Sequence, residues 1–413
     1  GTAPTKVDGV QCGFGVPTAS VATTGGTGVF SWYNAATGGT LLQTSTSATY
    51  TTAISATTTF YVDEVIGGCE SARTSVVATV VPPDAISATA SASPNPICSG
   101  NILTLTASGV SGATFTWTST ITSGLITGST AVGAGNINDV LTNSGTTTGT
   151  VTYSITAAGG TLGCPGPTVN YIFTVDPIPN VSNATLTQTI CTGNNASFIP
   201  TSNVLNTTFT WTATGSSANV TGYTAAGAGT IGDVLTNSGT AVETVTYVIT
   251  PTGPAPNNCV GTPVNFVVTV NPAPTVNAVA SQTLCNGSAT AAINFVSATA
   301  GANFSWTNDT PSIGLFAGGL GSIASFTAIN ATNASVTATI TVTPDANGCF
   351  GPAITFTITV DPSPIITNAT LTDEICSGST EAFTPTSNIV GSTFAYTASG
   401  SSANVTGFTA AGA

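Results

Sequence analysis

Through most of the chain apolar and polar residues alternate singly, and the alternation is broken by Gly, Asn and Pro at roughly 8–12-residue spacing. TVTYSIT around Tyr153, TVTYVIT around Tyr247 and VTATITVT at 336–343 are clear cases. Helical periodicity is missing. Period-two alternation predicts short antiparallel strands with one buried face, and many such strands in series predict β-sandwiches. A second signal is an aromatic-x-aromatic strand that returns five times, as Phe30/Trp32, Phe115/Trp117, Phe209/Trp211, Phe304/Trp306 and Phe394/Tyr396. Residues two apart share a face, so Trp32, Trp117, Trp211, Trp306 and Tyr396 are expected in the cores. The aromatic strand reads as the third of a sandwich and the Tyr153 or Tyr247 strand as the sixth. Both tyrosines lie two residues before an Ile, the spacing of a tyrosine corner.

Boundaries come from a strand-then-proline phrase: TVDPIP at 174–179, TVNPAP at 269–274, TVDPSP at 359–364 and a looser TVVPPD at 79–84. Proline cannot donate to a sheet ladder, so Pro177, Pro179, Pro272, Pro274, Pro362 and Pro364 are expected to end a last strand and stiffen a short connector. Four complete domains follow, at 1–83, 84–177, 178–272 and 273–362, with the first half of a fifth at 363–413. The stretch 183–228 returns at 368–413 with 30 identities over 46 gapless positions, an internal repeat. Because the second copy stops in mid-repeat, the 413 residues read as a window on a longer array, one that forms an extended rod.

Composition narrows the function. Only 4% of residues are charged, the net charge is −13, and Lys6 and Arg73 are the only basic residues. Neither a phosphate backbone nor an anionic membrane surface would find a cationic footprint here, so nucleic acid is not an expected partner. No apolar run has the length of a membrane helix, and no direct membrane insertion is expected. No signal peptide is visible.

At these phrases the chain resembles the PKD-like and immunoglobulin-like repeats of large secreted surface proteins of gliding Bacteroidota. SWYNAATGGTLL (31–42), TTTFYVDE (57–64) and GGCESART (67–74) resemble the Ig-like variant. INDVLTNSGT (137–146) and IGDVLTNSGT (231–240) resemble the PKD-like variant, and residues 273–362 read as a PKD/HYR-like repeat. The resemblance implies export, by the type IX route, to the bacterial cell surface. It implies an adhesin stalk or filament segment without catalytic residues or cofactors.

The nine cysteines recur regularly, which argues for an oxidising, extracellular setting. Each domain has one before its second strand and one after its sixth. Two schemes are open. Pairing within domains gives Cys12–Cys69, Cys98–Cys164, Cys191–Cys259 and Cys285–Cys349. A first strand running the full height over 180–190 would, however, set the two cysteines of one sandwich at opposite ends, beyond disulfide reach. Stacked head to tail, neighbours would instead be stapled by Cys12–Cys164, Cys98–Cys259 and Cys191–Cys349, with Cys69, Cys285 and Cys376 pairing outside the window.

Other chemistry is thinly supplied. Without His there is no base for Ser or Cys catalysis and no ordinary zinc site. The carboxylate sets Asp63/Glu64/Glu70 and Asp373/Glu374/Glu381 are expected at a solvated surface, since adjacent strand residues face apart. Asp84, Asp176 and Asp361 put one acid at each linker, short of the six to eight oxygens calcium takes. Asp139 and Asp233 are expected to cap turns. Asn183, Asn219, Asn368 and Asn404 open Asn-x-Ser/Thr triplets, which this composition produces by chance. Tyr33, Tyr223 and Phe408 point away from their cores and are the candidates for a glycan-binding surface. The expected function is a structural segment of a surface protein, a stalk or self-assembling filament whose partners are neighbouring copies. The alternatives are a carbohydrate- or surface-binding array and an accessory region to an enzyme.

Overall fold

The computed structural model describes residues 1–83, 86–89, 95–109, 112–158 and 164–413. They form strands and turns, with one short 3₁₀ turn at Pro311–Ile313. The chain divides into two compact units, Gly1–Asn183 with Pro200–Thr210 and Thr250–Val264, and Ala184–Ile199 with Trp211–Ile249 and Asn265–Ala413.

One sheet order recurs four times: an entry strand, a closing strand, a central strand, an aromatic strand and an edge strand. In the first sandwich these are Gly9–Cys12, Thr74–Val81, Thr58–Ile66, Val29–Tyr33 and Leu41–Ser45. In the second they are Ile97–Cys98, Val169–Asp176, Gly149–Ala158, Thr114–Ser123 and Val132–Ala134. The third uses Thr187–Cys191, Val264–Asn271, Glu243–Thr252, Thr208–Gly215 and Ala226–Ala228. The fourth uses Gln282–Cys285, Ile354–Asp361, Val336–Ala346, Asn303–Asn308 and Gly318–Leu320. The long central strands lie in mid-sheet with alternate residues buried, such as Val151, Tyr153 and Ile155. Short strands such as Ile102–Gly109 with Ile137–Val140 supply the opposing layer.

All four tryptophans are buried. Trp117 and Trp211 meet Tyr153 and Tyr247 edge-on, with ring centroids 5.8 and 5.5 Å apart. The edge strand makes room for each indole: Gly133, Gly227 and Gly319 lie so close to Trp117, Trp211 and Trp306 that a Cβ would collide with the ring. Tyr396 departs from this pattern and is 53% exposed, not in a core. Its strand, Tyr396–Thr397, pairs on one side only, with Ala411–Gly412, so no central strand covers the ring.

The entry strand is also shorter than expected. In the third sandwich it covers Thr187–Cys191 alone, while Val181 makes an isolated bridge to Ser202. Between them Ser182 N donates to the carbonyl of Thr201 at 2.8 Å, and the Leu186 carbonyl accepts from Val267 N at 2.9 Å.

Candidate functional site: the stapled seams

The entry strand runs parallel to the closing strand and puts its cysteine opposite the last residue before the linker proline. Cys12 is opposite Val81, Cys98 opposite Asp176, Cys191 opposite Asn271 and Cys285 opposite Asp361. The next residue fixes this register: the amides of Gly13, Ser99, Thr192 and Asn286 donate to those same four carbonyls at 2.8–2.9 Å. The other cysteine of each sandwich lies on the closing loop, between central and closing strands. In the third sandwich Cys259 precedes Val264, and Cys191 is opposite Asn271, so seven strand steps separate them. At 3.3 Å per step that is roughly 23 Å, far outside the 4.4–6.8 Å a disulfide spans.

The bonds therefore run between sandwiches. Cys12 is joined to Cys164, Cys98 to Cys259 and Cys191 to Cys349, with Cα separations of 5.3, 5.6 and 5.5 Å. Cys164, Cys259 and Cys349 are buried in the seams, whereas Cys69, Cys285 and Cys376 are exposed thiols. Each staple closes a loop of more than 150 residues, worth about 5 kcal/mol in the chain-entropy model.

Polar and steric contacts flank the sulfurs. Asp176 accepts from Thr148 Oγ1 at 2.9 Å and from Asn257 Nδ2, on the closing loop, at 3.0 Å. In two closing loops the glycine of the Cys-x-Gly is pressed onto a linker, Gly261 onto the carbonyl of Pro179 and Gly351 onto that of Pro274. Pro177, Pro179, Pro272 and Pro274 are accordingly buried, while Pro362 is half-buried and Pro364 exposed.

Several residues singled out in the sequence do something else. Asp139 and Asp233 are not turn caps. Asp139 accepts from Thr130 N and Oγ1 at 2.9 and 2.7 Å and from the Tyr153 hydroxyl at 2.5 Å. Asp233 does the same with Thr224, at 3.0 and 2.9 Å, and with Tyr247, at 2.8 Å. The tyrosines thus bond a carboxylate where a tyrosine corner would bond backbone. Burial first, then the neighbouring carboxylate, pushes both phenols well above the usual phenol range. In the fourth sandwich the equivalent positions are Phe326 and Ile340, both in its hydrophobic cluster.

Asp63 and Glu64 are not solvated, being 1% and 2% exposed. They do face apart. Glu64 accepts from Thr23 Oγ1 and from Thr24 N, whereas Asp63 lies 3.5 Å from Arg73. Burial and the Glu70 carboxylate raise the Asp63 pKa, and Arg73 opposes them. Arg73 in turn covers the Tyr33 ring at 3.3 Å, so that aromatic is not an open platform. Tyr223 is half-buried against Gly215, and Phe408 is 45% exposed. Asp373, Glu374 and Glu381 are exposed. Asp361 accepts from Ser335 Oγ at 2.6 Å, and Asp84 lies outside the described residues. Among the described residues no group of three or more metal-ligating side chains converges.

Sequence reasoning missed an asparagine in the same motif. Asn143, Asn237 and Asn330 are buried, and each amide donates both to the carbonyl four residues on and to that of Val175, Val270 or Val360. Each clamp ties the motif to the last turn of the closing strand, next to the seam. The recurrence of Asn four residues after Asp139 and Asp233 was the available signal.

Residues 2–82 match the family model described as an Ig-like domain, CHU_C associated, and residues 95–179 and 188–274 match that of the PKD-like domain. They form an Ig/PKD-like repeat region. No curated protein matches the chain. Similar solved structures include the I67–I69 fragment of the titin I-band, 10% identical over 68% of this chain and 99% of that one, TM-score 0.36. They also include protocadherin gamma B2 cadherin domains 3–6, 13% identical over 87% and 99%, TM-score 0.27. The human desmocollin-1 ectodomain is 9% identical over 87% and 81%, TM-score 0.23.

Proposed function

We propose that the chain is a force-bearing segment of an extracellular bacterial surface protein, an adhesin stalk or filament shaft in which disulfides lock successive sandwiches. The observation that carries this reading is the interlacing of the staples. Cys12–Cys164, Cys98–Cys259 and Cys191–Cys349 overlap in sequence, so the shortest covalent route from Cys12 to Cys349 runs through two disulfides and the 27 residues from 164 to 191. Without the bonds the same route is 337 residues, from 12 to 349. A pull along the chain therefore bypasses the central and aromatic strands and loads only the closing strand Val169–Asp176 and the entry strand Thr187–Cys191. The extracellular setting is supported by the disulfides. Among the described residues no helix is long and apolar enough to cross a membrane.

Single-molecule extension tests this. Unreduced protein held at 12 and 349 releases roughly 100 Å at most, and reduced protein roughly 1,200 Å, at 3.6 Å per residue. Release of a whole sandwich from unreduced protein, or a Cys98–Cys164 peptide in a non-reducing digest, overturns the reading.

A further inference from the structure

Each sandwich hands the chain on through a proline, and the residue before that proline differs from linker to linker. It is Val81, Asp176, Asn271 and Asp361 in turn, so the chain holds two Asp–Pro bonds, both at linkers. Proline makes such a bond a tertiary amide, whose nitrogen leaves as a secondary amine. The aspartate carries on its own side chain a carboxylate able to close a ring on the carbonyl carbon of that amide. An attack built into one residue is intramolecular, and well-oriented intramolecular reactions reach effective molarities of about 10⁵–10⁸ M.

The fold prepares both bonds. The Asp176 carbonyl accepts from the amide of Ser99 at 2.8 Å, and the Asp361 carbonyl from that of Asn286 at 2.8 Å. A fixed N–H at that oxygen polarises the carbonyl and stabilises the oxyanion that develops on attack. The carboxylates are held as well. Asp176 accepts from Thr148 Oγ1 at 2.9 Å and Asn257 Nδ2 at 3.0 Å, and Asp361 from Ser335 Oγ at 2.6 Å. Asp176 and Pro177 also border a surface cavity of about 190 Å³, closed on its far side by Pro254 and Cys259. That space admits several waters to the bond. Asp176 is the one ionisable side chain among the residues lining it.

We propose that Asp176–Pro177 and Asp361–Pro362 are self-cleavage sites, at which the aspartate carboxylate cuts its own peptide bond. A carboxylate oxygen of Asp176 bonds to its own carbonyl carbon as the C–N bond to Pro177 breaks. The proline nitrogen takes a proton from solvent and leaves as an amine. Water then opens the cyclic anhydride, so Asp176 becomes a C-terminus with two carboxyl groups and Pro177 an N-terminus. One water is consumed, and nothing is oxidised or reduced. Asn271 is the internal control. Its carbonyl accepts from Thr192 N at 2.9 Å in the same register, but its side-chain amide is a far weaker nucleophile than a carboxylate.

A cut at 176 does not part the shaft. Cys98 and Cys259 lie on either side of it and are bonded, so the seam passes from a peptide to a disulfide connection. Parting the sandwiches then takes reduction as well. This consequence rests on the reading of the cysteines as staples between successive sandwiches.

The test incubates the oxidised chain in mildly acidic buffer, with tryptophan emission read to confirm that it stays folded. Mass spectrometry should find new termini at Asp176/Pro177 and Asp361/Pro362, and none at Val81/Pro82 or Asn271/Pro272. Cleavage should be about 10²-fold faster than in the reduced chain unfolded in urea, the worth of one oxyanion donor. Asp176→Asn should abolish the first cut and leave the second, and it should fold, since Asn271 holds that place in the third sandwich. Asn271→Asp should add a cut before Pro272. Cleavage no faster in the folded chain than in the unfolded one, or equal cleavage before Pro272 in the wild type, would overturn the proposal. If the three staples are mapped and no cut forms, this inference fails alone. If the cut forms and 1–176 separates from 177–361 without reduction, the staple reading beneath it fails.

Discussion

Gly261 lies against the carbonyl oxygen of Pro179 with no room for a Cβ between them, and the cysteine two residues before it is bonded to Cys98. The linker and the closing loop thus meet backbone to backbone, which is what brings the two sulfurs together. Gly261→Ala should push the loop off the linker. Overpacking of this kind costs about 1–3 kcal/mol. The expected outcome is a lower thermal midpoint together with free thiol at Cys98 and Cys259 after mild oxidative refolding, counted by alkylation and mass spectrometry. A fully formed Cys98–Cys259 bond in the variant would contradict the steric account.

A second close approach governs the cores. Gly227 faces the six-membered ring of Trp211, and a methyl group there would overlap Cζ2. Gly227→Ala should displace the indole from Tyr247 and cost about 1–3 kcal/mol. Trp211 emission in a background lacking the other tryptophans would shift to the red as the ring gains water. An exposed glycine such as Gly232, which has open space where a Cβ would go, provides the control.

Alternation and punctuation made the strands and the all-β class legible, because burial on one face imposes period two directly on the sequence. Partnering was less legible, because it is not local. Ile190 and Cys191 lie in the entry strand of the third sandwich, yet the matching Ile375 and Cys376 lie in no strand. The difference is the closing strand Val264–Asn271, which only the first pair has beside it. A contact whose two partners both lie inside the repeated half survives the same comparison, although they are eighteen residues apart. Thr201 N donates to Asn183 Oδ1 at 2.8 Å and Thr386 N to Asn368 Oδ1 at 2.7 Å. Asp63 and Glu64 were misread for a related reason. Alternation separates their faces, but the outer face is roofed by Arg73, which immediately precedes the neighbouring strand Thr74–Val81.

The tyrosine–aspartate pairs predict an alkaline sensitivity. The folded phenol pKa values of Tyr153 and Tyr247 are raised, by burial first and then by Asp139 and Asp233. In the unfolded chain both titrate near 10. Their contribution is fully present below about pH 10 and is lost as the pH rises from there, because the unfolded state releases its protons first. The thermal midpoint should be flat from pH 7 to 9 and fall steeply above 10. In Tyr153→Phe/Tyr247→Phe that fall should be shallower, although stability at pH 7 is reduced because Asp139 and Asp233 each lose the phenol among their three donors. Equal slopes for the two proteins would remove the tyrosines as its cause.

The asparagine clamp makes the sharpest demand on side-chain chemistry. Asn237 donates to the carbonyls of Ala241 and Val270 at 2.8 and 2.9 Å and accepts from Gly239 N at 2.9 Å. Asn237→Ala orphans all three groups, and a buried group left unsatisfied costs about 1–3 kcal/mol, so a total loss of about 3 kcal/mol is expected. Asn237→Asp keeps the shape and the acceptor but turns both donors into a carboxylate facing two carbonyl oxygens. That environment raises the folded pKa of the introduced carboxyl above its unfolded value near 4. The variant should come closest to wild type below pH 4, where the carboxyl is protonated and can donate one bond, and weaken progressively as the pH rises through the folded pKa. Urea unfolding at pH 3.5, 5 and 7 reads this directly. A deficit independent of pH would mean that the amide acts through its shape alone and that the carbonyls of Ala241 and Val270 find other donors.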